Sequence, residues 1–401
     1  MIIMPPCRRS GGCIDHTISA RSNMMPLMLA VGVWLMGTCR ASAPHLEINM
    51  IYGMGSYGLG QMTLGKQGGG TSKTPWVTHL PYGTFADQVQ AYKAYKIPSF
   101  YGDMSSPYTS PLGASKIFLR GGACTPASYP VCHLGPQWEE TLELLVQRDI
   151  KPGIENGTLA GVFLGDELCC EDMPTRTGME CWETVIAPVA DKLRALLGKG
   201  NGKIYTNECG GEQMFNSTMI KNGWKMPASL DIVSTDAYSG WLPPGAKCPD
   251  ADKCPWSPSQ PCFNTSGLCP QGSTDPAVSE VSGMKTFIDK SIIPAMHPHQ
   301  RFLAVPGTFG CHALDANNIT SPMSNASSAA AVVAKLDAWM KYARTEPRII
   351  GFNPWHWDAR QVQVGAFGSP CDMQVGASEY PSVVAKLAEI GHEIIQQPPK
   401  Q

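Results

Sequence analysis

The sequence has little net charge and no long run of charge of either sign. Its 401 residues include 31 Lys and Arg against 33 Asp and Glu, which gives a formal net charge of -2 at pH 7. Nucleic acids and anionic membrane surfaces attract concentrated positive charge, so nothing here points to either as a partner. We expect a neutral or mildly charged small molecule or polymer instead.

Several catalytic and phosphate-binding patterns are also missing. The chain contains no Gly-x-Ser-x-Gly elbow, no complete Walker loop and no His-Glu-x-x-His helix. These are the patterns of α/β-hydrolases, P-loop nucleotide-binding proteins and zinc proteases. No motif in the sequence indicates a metal ion or an organic cofactor, and we expect neither.

The sequence has no apolar run as long as the roughly 20 residues that span a bilayer. The stretch from Met24 to Gly37 has 14 residues, follows several arginines and precedes Ala41-Ser-Ala43. Basic, apolar and small-residue segments in that order are typical of a secretory signal. We therefore predict that residues 1–43 are a signal peptide, or an uncleaved anchor that would bring the protein to a membrane, and that 44–397 form one domain.

Cysteines and glycosylation motifs agree with export. Of 15 cysteines, three (Cys7, Cys13 and Cys39) lie in the predicted leader, so 12 remain, and we read them as disulfides that staple loops. No histidine accompanies the group at 248, 254, 262 and 269, so a zinc site there is disfavoured. Asn-x-Ser/Thr motifs occur at Asn156, Asn216, Asn264, Asn318 and Asn325. The sequence thus predicts a secreted or endomembrane glycoprotein.

Short apolar runs alternate with stretches of helical periodicity along the chain. The predicted strands are Leu46–Tyr52, Ile97–Gly102, Lys116–Leu119, Leu159–Glu167, Ile204–Thr206, Ile232–Thr235, Phe302–Val305 and Ile349–Phe352. The predicted helices are Phe85–Tyr95, Trp138–Gln147, Trp182–Leu197, Val281–Met296, Ser328–Ala343 and Tyr380–Ile395. This alternation predicts an α/β fold, a (β/α)8 TIM barrel, with a Cys- and Pro-rich loop insertion over 241–275 after strand six.

Two adjacent carboxylates end the fourth predicted strand, Leu159-Ala-Gly-Val-Phe-Leu-Gly-Asp-Glu167. Acids at the carboxyl end of a barrel strand lie where active sites form. Glycosidic cleavage needs a protonated carboxyl group for the leaving oxygen and a second group for the oxocarbenium-like centre. We choose Glu167 as the acid, with Asp166 orienting it or tying down the loop, because successive strand residues point to opposite sides. The alternative is that both acids only cap the following structure.

The second carboxylate is harder to place, since the seventh strand ends Val305-Pro-Gly-Thr308 with no acid. Asp236 and Glu208 end the sixth and fifth strands and are the remaining candidates. Asp236 has the better context, because Tyr238 lies two residues on and could bond a sugar or a carboxylate. A turn role for Asp236 is the competing interpretation.

Aromatic residues follow the eighth strand in the run Trp355-His356-Trp357. Flat aromatic faces stack on the apolar faces of sugar rings, so we expect Trp355 and Trp357 to line the mouth and His356 to donate to substrate. A place in the core is the alternative for each tryptophan. Weaker binding candidates of the same kind are Tyr57, Tyr101 and Trp241.

The segments Gly165-Asp-Glu167, Asp231 to Tyr238 and Gly351-Phe-Asn-Pro-Trp-His-Trp357 resemble those of TIM-barrel glycoside hydrolases. In clan A enzymes the acid/base is a Glu after strand four, which Glu167 matches, and the nucleophile is a Glu after strand seven, which nothing here matches. Similarity to family 20 hexosaminidases implies that Asp166 orients a substrate acetamido group. Similarity to clan D implies a pair of strand-four and strand-six acids, with Asp236 as the partner.

The sequence therefore predicts a secreted glycoside hydrolase that cleaves O-glycosidic bonds, with Glu167 as acid/base and Asp236 as its partner. The missing strand-seven acid keeps open a second function, a non-catalytic secreted barrel that binds glycans. In both, the partner is a carbohydrate. The sequence leaves the oligomeric state open.

Overall fold

The structure is a computed structural model, and its described residues fall in several ranges. These are 45–52, 76–81, 84–103, 117–120, 131–169, 178–209, 214–236, 281, 284–308, 310–314, 319–321, 325–355, 357, 361–362 and 373–397. The predicted leader and the predicted insertion over 241–275 lie outside them. No helix among these ranges is long and apolar enough to cross a membrane.

A parallel sheet of seven strands forms the centre of the fold. In spatial order the strands are β1 (Ile48–Asn49), β11 (Ile349–Phe352), β8 (Arg301–Val305), β7 (Ile232–Asp236), β6 (Lys203–Cys209), β5 (Leu159–Asp166) and β2 (Ser99–Asp103). Every neighbouring pair is parallel. The predicted parallel α/β sheet is confirmed, because strands buried on both faces read in sequence as short apolar runs.

The two edge strands, β1 and β2, are joined by a short segment, Trp76–Leu80. The Thr78 amide donates to the Asn49 carbonyl at 2.8 Å. On the other side, the Leu80 amide donates to the Pro98 carbonyl and the Phe100 amide of β2 donates to the Leu80 carbonyl, at 3.0 Å each. Leu80 also forms a parallel bridge with Ser99. Eight segments therefore follow one another around a ring, as in a TIM barrel.

The prediction that Lys116–Leu119 is the third barrel strand is wrong. The observed strand β3 (Phe118–Arg120) pairs antiparallel with β4 (Val131–Leu134) in a separate two-stranded sheet. A partner this close in sequence forms a hairpin, whereas a parallel barrel strand needs a crossover. The Trp76–Leu80 segment takes the second barrel position instead, so β5 remains the fourth.

Helices follow most barrel strands and cover the outside of the sheet. They are α1 (Phe85–Tyr95), α2 (Trp138–Leu145), α3 (Lys151–Glu155), α4 (Gly178–Cys181), α5 (Ala187–Leu197), α6 (Ser217–Lys221), α7 (Ile293–Ala295), α8 (Asn325–Ala343) and α9 (Pro381–Ile395). The π-helical stretches Val146–Ile150, Trp182–Ile186 and Ile288–Ile292 precede α3, α5 and α7, and a 3-10 turn, Ala377–Glu379, precedes α9.

A second sheet is built from chain that follows the seventh and eighth barrel strands. Its antiparallel order is β10 (Ile319–Ser321), β9 (Gly310–Leu314), β13 (Met373–Val375) and β12 (Gln361–Val362). Active-site loops of TIM barrels occupy the carboxyl end of the strands. Backbone pairing between β9 and β13 thus ties together the loops that follow β8 and β11.

The apolar core divides into two clusters, one inside the ring and one between the ring and the helices. The inner cluster contains the aromatic side chains of Tyr52, Phe100, Phe163 and Tyr205, together with aliphatic side chains. The outer cluster contains Ile204 of β6 and Leu193 of α5. Adjacent residues such as Ile204 and Tyr205 belong to different clusters because strand side chains alternate between the two faces.

Candidate active site

The strand that carries the paired carboxylates contains a register irregularity. Phe163 of β5 pairs with Tyr205 of β6, and Asp166 pairs with Asn207, so three steps along β5 match two steps along β6. An extra residue of this kind is a β-bulge, and it reverses the facing of the residues after it. Asp166 therefore lies on the same, inner face as Phe163.

Asp166 is held by two hydrogen bonds inside the ring. The Asn207 side-chain amide donates to Asp166 Oδ1 at 2.6 Å, and the Tyr52 hydroxyl donates to the same oxygen at 3.4 Å. Asp166 is half-buried, whereas Tyr52 and Asn207 are fully buried. The carboxylate is thus fixed in direction by neighbours that pack rigidly, which is what a reacting group requires.

The hydrogen bonding continues across the ring from Asn207. Ser234 Oγ donates to Asn207 Oδ1, the Tyr205 hydroxyl lies 2.7 Å from Ser234 Oγ, and Asn353 Nδ2 lies 3.4 Å from the Tyr205 oxygen. Burial raises the pKa of Tyr205, so its hydroxyl stays protonated. These contacts support Asn207, the hydrogen-bond donor to Asp166.

Glu167 comes directly after Asp166, in a turn with a left-handed backbone. Its φ is 52°, its amide donates to the Asn207 carbonyl at 2.8 Å, and the residue is half-buried. Left-handed conformation in a residue other than glycine is strained and is found often at functional sites. The predicted acid therefore occupies a constrained turn at the carboxyl end of the fourth barrel position.

Glu208 lies behind β6 rather than inside the ring. It is two residues from Thr206, whose hydroxyl donates to Glu208 Oε1 at 3.2 Å, and the Cys169 amide donates to Oε2 at 3.0 Å. Burial raises the pKa of this carboxyl well above 4.5, and the charges of Glu167 and Asp166 raise it further. Because the Glu208 side chain is fully enclosed on this face, it does not reach the interior of the ring.

Asp236 ends β7, at the carboxyl edge of the sheet. Its backbone is in register with Cys209 and Val305 of the neighbouring strands, so the predicted strand end is confirmed. Its side chain lies outside the described residues. The binding candidates Tyr57, Tyr238, Trp241 and His356 also lie outside them.

The three described aromatic candidates differ in their surroundings. Trp355 is half-buried, and its ring centroid lies 5.2 Å from that of Tyr52, the donor to Asp166. Trp357 is only 3% exposed, and its ring centroid lies 6.3 Å from that of Trp76. Tyr101 is also 3% exposed, and its hydroxyl donates to Asp149 Oδ2 at 3.1 Å. Burial leaves Trp357 and Tyr101 no free face for a sugar ring, whereas the Trp355 side chain keeps part of its surface exposed.

Two site residues, Tyr52 and Asn207, are not among the residues predicted from the sequence. Tyr52 ends the first predicted strand, and Asn207 precedes the candidate Glu208 in the fifth. The signal for Asn207 is period two along β6, since Tyr205 and Asn207 share one face and Thr206 and Glu208 the other. Among the described residues, no group of three or more His, Cys, Asp or Glu side chains could hold a metal ion.

No family model matches the chain, and no curated protein matches it. Solved structures similar to the chain include glycoside hydrolases. A β-glucuronidase from an uncultured Clostridium sp. shares 9% identity at a TM-score of 0.49, with 86% of this chain and 50% of that one covered. The GH113 β-mannanase of Alicyclobacillus acidocaldarius shares 9% identity at a TM-score of 0.42, with 88% of this chain and 100% of that one covered.

A third similar structure is the Bifidobacterium dentium β-glucuronidase complexed with coumarin-3-O-glucuronide, at 8% identity and a TM-score of 0.44, with 84% of this chain and 46% of that one covered. The chain thus spans about half the length of these glucuronidases (46% and 50%). The ring of parallel strands closed by Trp76–Leu80 makes the chain a barrel protein.

Proposed function

We propose that the protein is a glycoside hydrolase that acts on O-glycosidic bonds. The proposal rests on the Asp166 carboxylate inside the barrel, which accepts hydrogen bonds from Asn207 and Tyr52. The indole of Trp355 packs beside the Tyr52 ring. A sugar stacked on Trp355 would bring its reacting carbon toward that carboxylate. An oriented anion stabilises the positive charge that develops there in the transition state.

Glu167 is proposed as the general acid that protonates the leaving oxygen. It comes after Asp166 in the chain and occupies a turn bonded to Asn207, so both groups are set by the same strand end. With a 2-acetamido sugar, Asp166 would orient the acetamido oxygen as the internal nucleophile. With other sugars, Asp236 at the end of β7 is the proposed second carboxylate.

One observation favours a second function, glycan binding without cleavage. Where a clan A enzyme would carry its strand-seven Glu, the chain has Pro306, Gly307 and Thr308. The Thr308 hydroxyl donates to the Trp355 carbonyl at 3.0 Å, and Gly307 bridges Trp355. This strand end braces the aromatic platform instead of supplying an acid.

We further propose that the protein is a secreted glycoprotein whose leader is removed. The Cys169–Cys181 disulfide agrees with an oxidising compartment. A membrane would be a partner only if the leader remained as an anchor.

Hydrolysis of a panel of aryl glycosides, N-acetylhexosaminides included, tests the proposal. We expect Glu167→Gln to lower kcat/KM by about 100-fold to 10,000-fold, the usual range for loss of a general acid. Asp166→Asn should abolish activity on acetamido sugars if the reaction is substrate-assisted, and Asp236→Asn should do so on other sugars if two carboxylates act.

Matched controls carry the same substitutions at exposed sites, Glu155→Gln on α3 and Asp337→Asn on α8, and should retain full activity. Absence of hydrolysis by the wild-type protein on every sugar, with glycan binding retained, would reject the enzyme in favour of the binding protein. Retained activity in Glu167→Gln would reject Glu167 as the acid.

A further inference from the structure

The turn that carries Glu167 is fastened at three points. The Glu167 amide bonds to the Asn207 carbonyl at 2.8 Å, and the Cys169 amide bonds to Glu208 Oε2 at 3.0 Å. Cys169 is also joined to Cys181 of α4 by a disulfide with a Cα–Cα distance of 5.7 Å. Consecutive residues of β6 thus hold the first and last residues of the turn.

Glu208 is the one side chain of β6 among these fastenings. It is 0% exposed, and each carboxyl oxygen accepts one hydrogen bond, from Thr206 and from Cys169. Without that acceptor the buried Cys169 amide would lose its partner, which is costly in a protein interior. A left-handed turn such as that at Glu167 persists only when its surroundings over-determine it.

We propose that Glu208 is a positioning residue, whose buried carboxyl holds the Cys169 end of the turn and thereby fixes the backbone of Glu167. This inference rests on the proposed function of Glu167 as the acid. It also differs from the sequence-based prediction that Glu208 is itself catalytic. The carboxyl acts as a hydrogen-bond acceptor, so an amide of the same shape, which keeps one acceptor oxygen, can replace it.

Two substitutions separate the roles. Glu208→Gln keeps an oxygen for the Cys169 amide, and we expect kcat within about threefold of the wild-type value. Glu208→Leu keeps the volume but removes the acceptor, and we expect kcat to fall at least tenfold with KM within twofold. Glu155→Leu, at an exposed position on α3, is the matched control and should leave kcat unchanged.

Loss of activity in Glu208→Gln to the level of Glu167→Gln would overturn the proposal, because it would mean that the carboxylate itself reacts. Wild-type kcat in a folded Glu208→Leu protein would also overturn it. If the leucine variant does not fold, the glutamine variant still decides between a reacting carboxylate and a hydrogen-bond acceptor.

A second readout does not depend on catalysis. Hydrogen exchange at the Cys169 amide, followed by mass spectrometry, should be at least tenfold faster in Glu208→Leu than in the wild type and little changed in Glu208→Gln. Equal exchange rates in all three proteins would show that Glu208 does not hold the Cys169 amide. If the wild-type protein hydrolyses nothing, the proposed function fails, and the exchange measurement still tests the role of Glu208 in the turn.

Discussion

Asp166 faces the interior of the ring because β5 contains one residue more than β6 between their matched pairs. Strict alternation predicts that Asp166 lies on the face opposite Phe163, and on that basis Glu167, not Asp166, is expected to point toward the pocket. The bulge reverses this facing. A strand glycine such as Gly165 often marks a bulge, but the extra residue is defined only by pairing with a neighbouring strand.

Glu208 shows the opposite outcome, a strand-end acid that the fold encloses. Its position after an apolar strand is the same signal that selects Glu167. The alternation along β6 places it with Thr206, on the outer face, where burial raises its pKa. An acid at a strand end is thus a candidate catalytic residue, and the face of the sheet on which its side chain lies decides whether it can reach the interior of the barrel.

The raised pKa of Glu208 predicts a pH-dependent stability. As the pH rises above 4.5, the Glu208 carboxyl of the unfolded chain loses its proton before that of the native state does. Glu208 therefore stabilises the fold fully only below pH 4.5, and this stabilisation is lost as the pH rises through the folded-state pKa. Glu208→Gln does not titrate. The free energy of unfolding of the variant minus that of the wild type should therefore increase with pH, by at most about 1.4 kcal/mol per pH unit.

Urea unfolding at a series of pH values between 4 and 8 measures this difference. Glu155→Gln, at an exposed site, should show no such trend. A difference that is constant with pH for Glu208→Gln would mean that the buried carboxyl titrates as it does in the unfolded chain.

At the scale of elements, close backbone contact fixes the seam between β1 and β11. A Cβ added to Gly351 would lie 1.8 Å from the Ile48 carbonyl oxygen. Gly161 shows the same relation to Lys203 across the β5–β6 pair, at 2.0 Å. Glycine in a strand often marks such an approach of two backbones, and the sequence alone does not say which strand approaches.

We expect Gly351→Ala to lower the free energy of unfolding by about 3 kcal/mol or more, because backbone rather than a movable side chain occupies the space. Gly200→Ala is the control. Gly200 has a φ of 84°, and no heavy atom lies within 4 Å of an added Cβ, so only conformational strain of about 1 kcal/mol applies. If urea unfolding shows equal losses of unfolding free energy in the two variants, the close backbone contact between β1 and β11 is contradicted.

Three helices change from π to α just before a proline, at Pro152, Pro188 and Pro294. In each, the residue before the proline donates its amide five residues back, to Val146, Trp182 and Ile288 respectively. Proline has no amide hydrogen to continue the regular ladder, and a π-helical turn absorbs the irregularity. Helical periodicity predicts these helices but not their widened turns.

For the molecule as a whole, the glycosylation motifs support the proposed export. Asn156 is exposed, and its side-chain oxygen accepts from the Thr158 amide at 2.9 Å. Asn216 is half-buried and caps α6 through its side-chain oxygen. In both, the oxygen makes the structural bond, which leaves the side-chain nitrogen as the attachment atom.

Expression of the full chain in a secretory host should release a glycosylated protein into the medium. Asn156→Gln should reduce its mass by one glycan, because the Asn156 side chain is exposed. Asn201→Gln, outside any motif, should leave the mass of the glycans unchanged. Mass spectrometry before and after enzymatic deglycosylation decides the matter, and a wild-type product without glycans would count against export.

The alternation of strands and helices, the carboxylates at strand ends and the aromatic run after the last strand can be derived from the sequence by itself, because buried parallel strands and amphipathic helices leave distinct local periods. Only the tertiary structure decided that Trp76–Leu80 closes the ring, that Asp166 turns inward and Glu208 outward, and that Trp357 packs in the core while Trp355 stands beside Tyr52. These outcomes depend on partners distant in the chain, and a local pattern of residues carries no information about them.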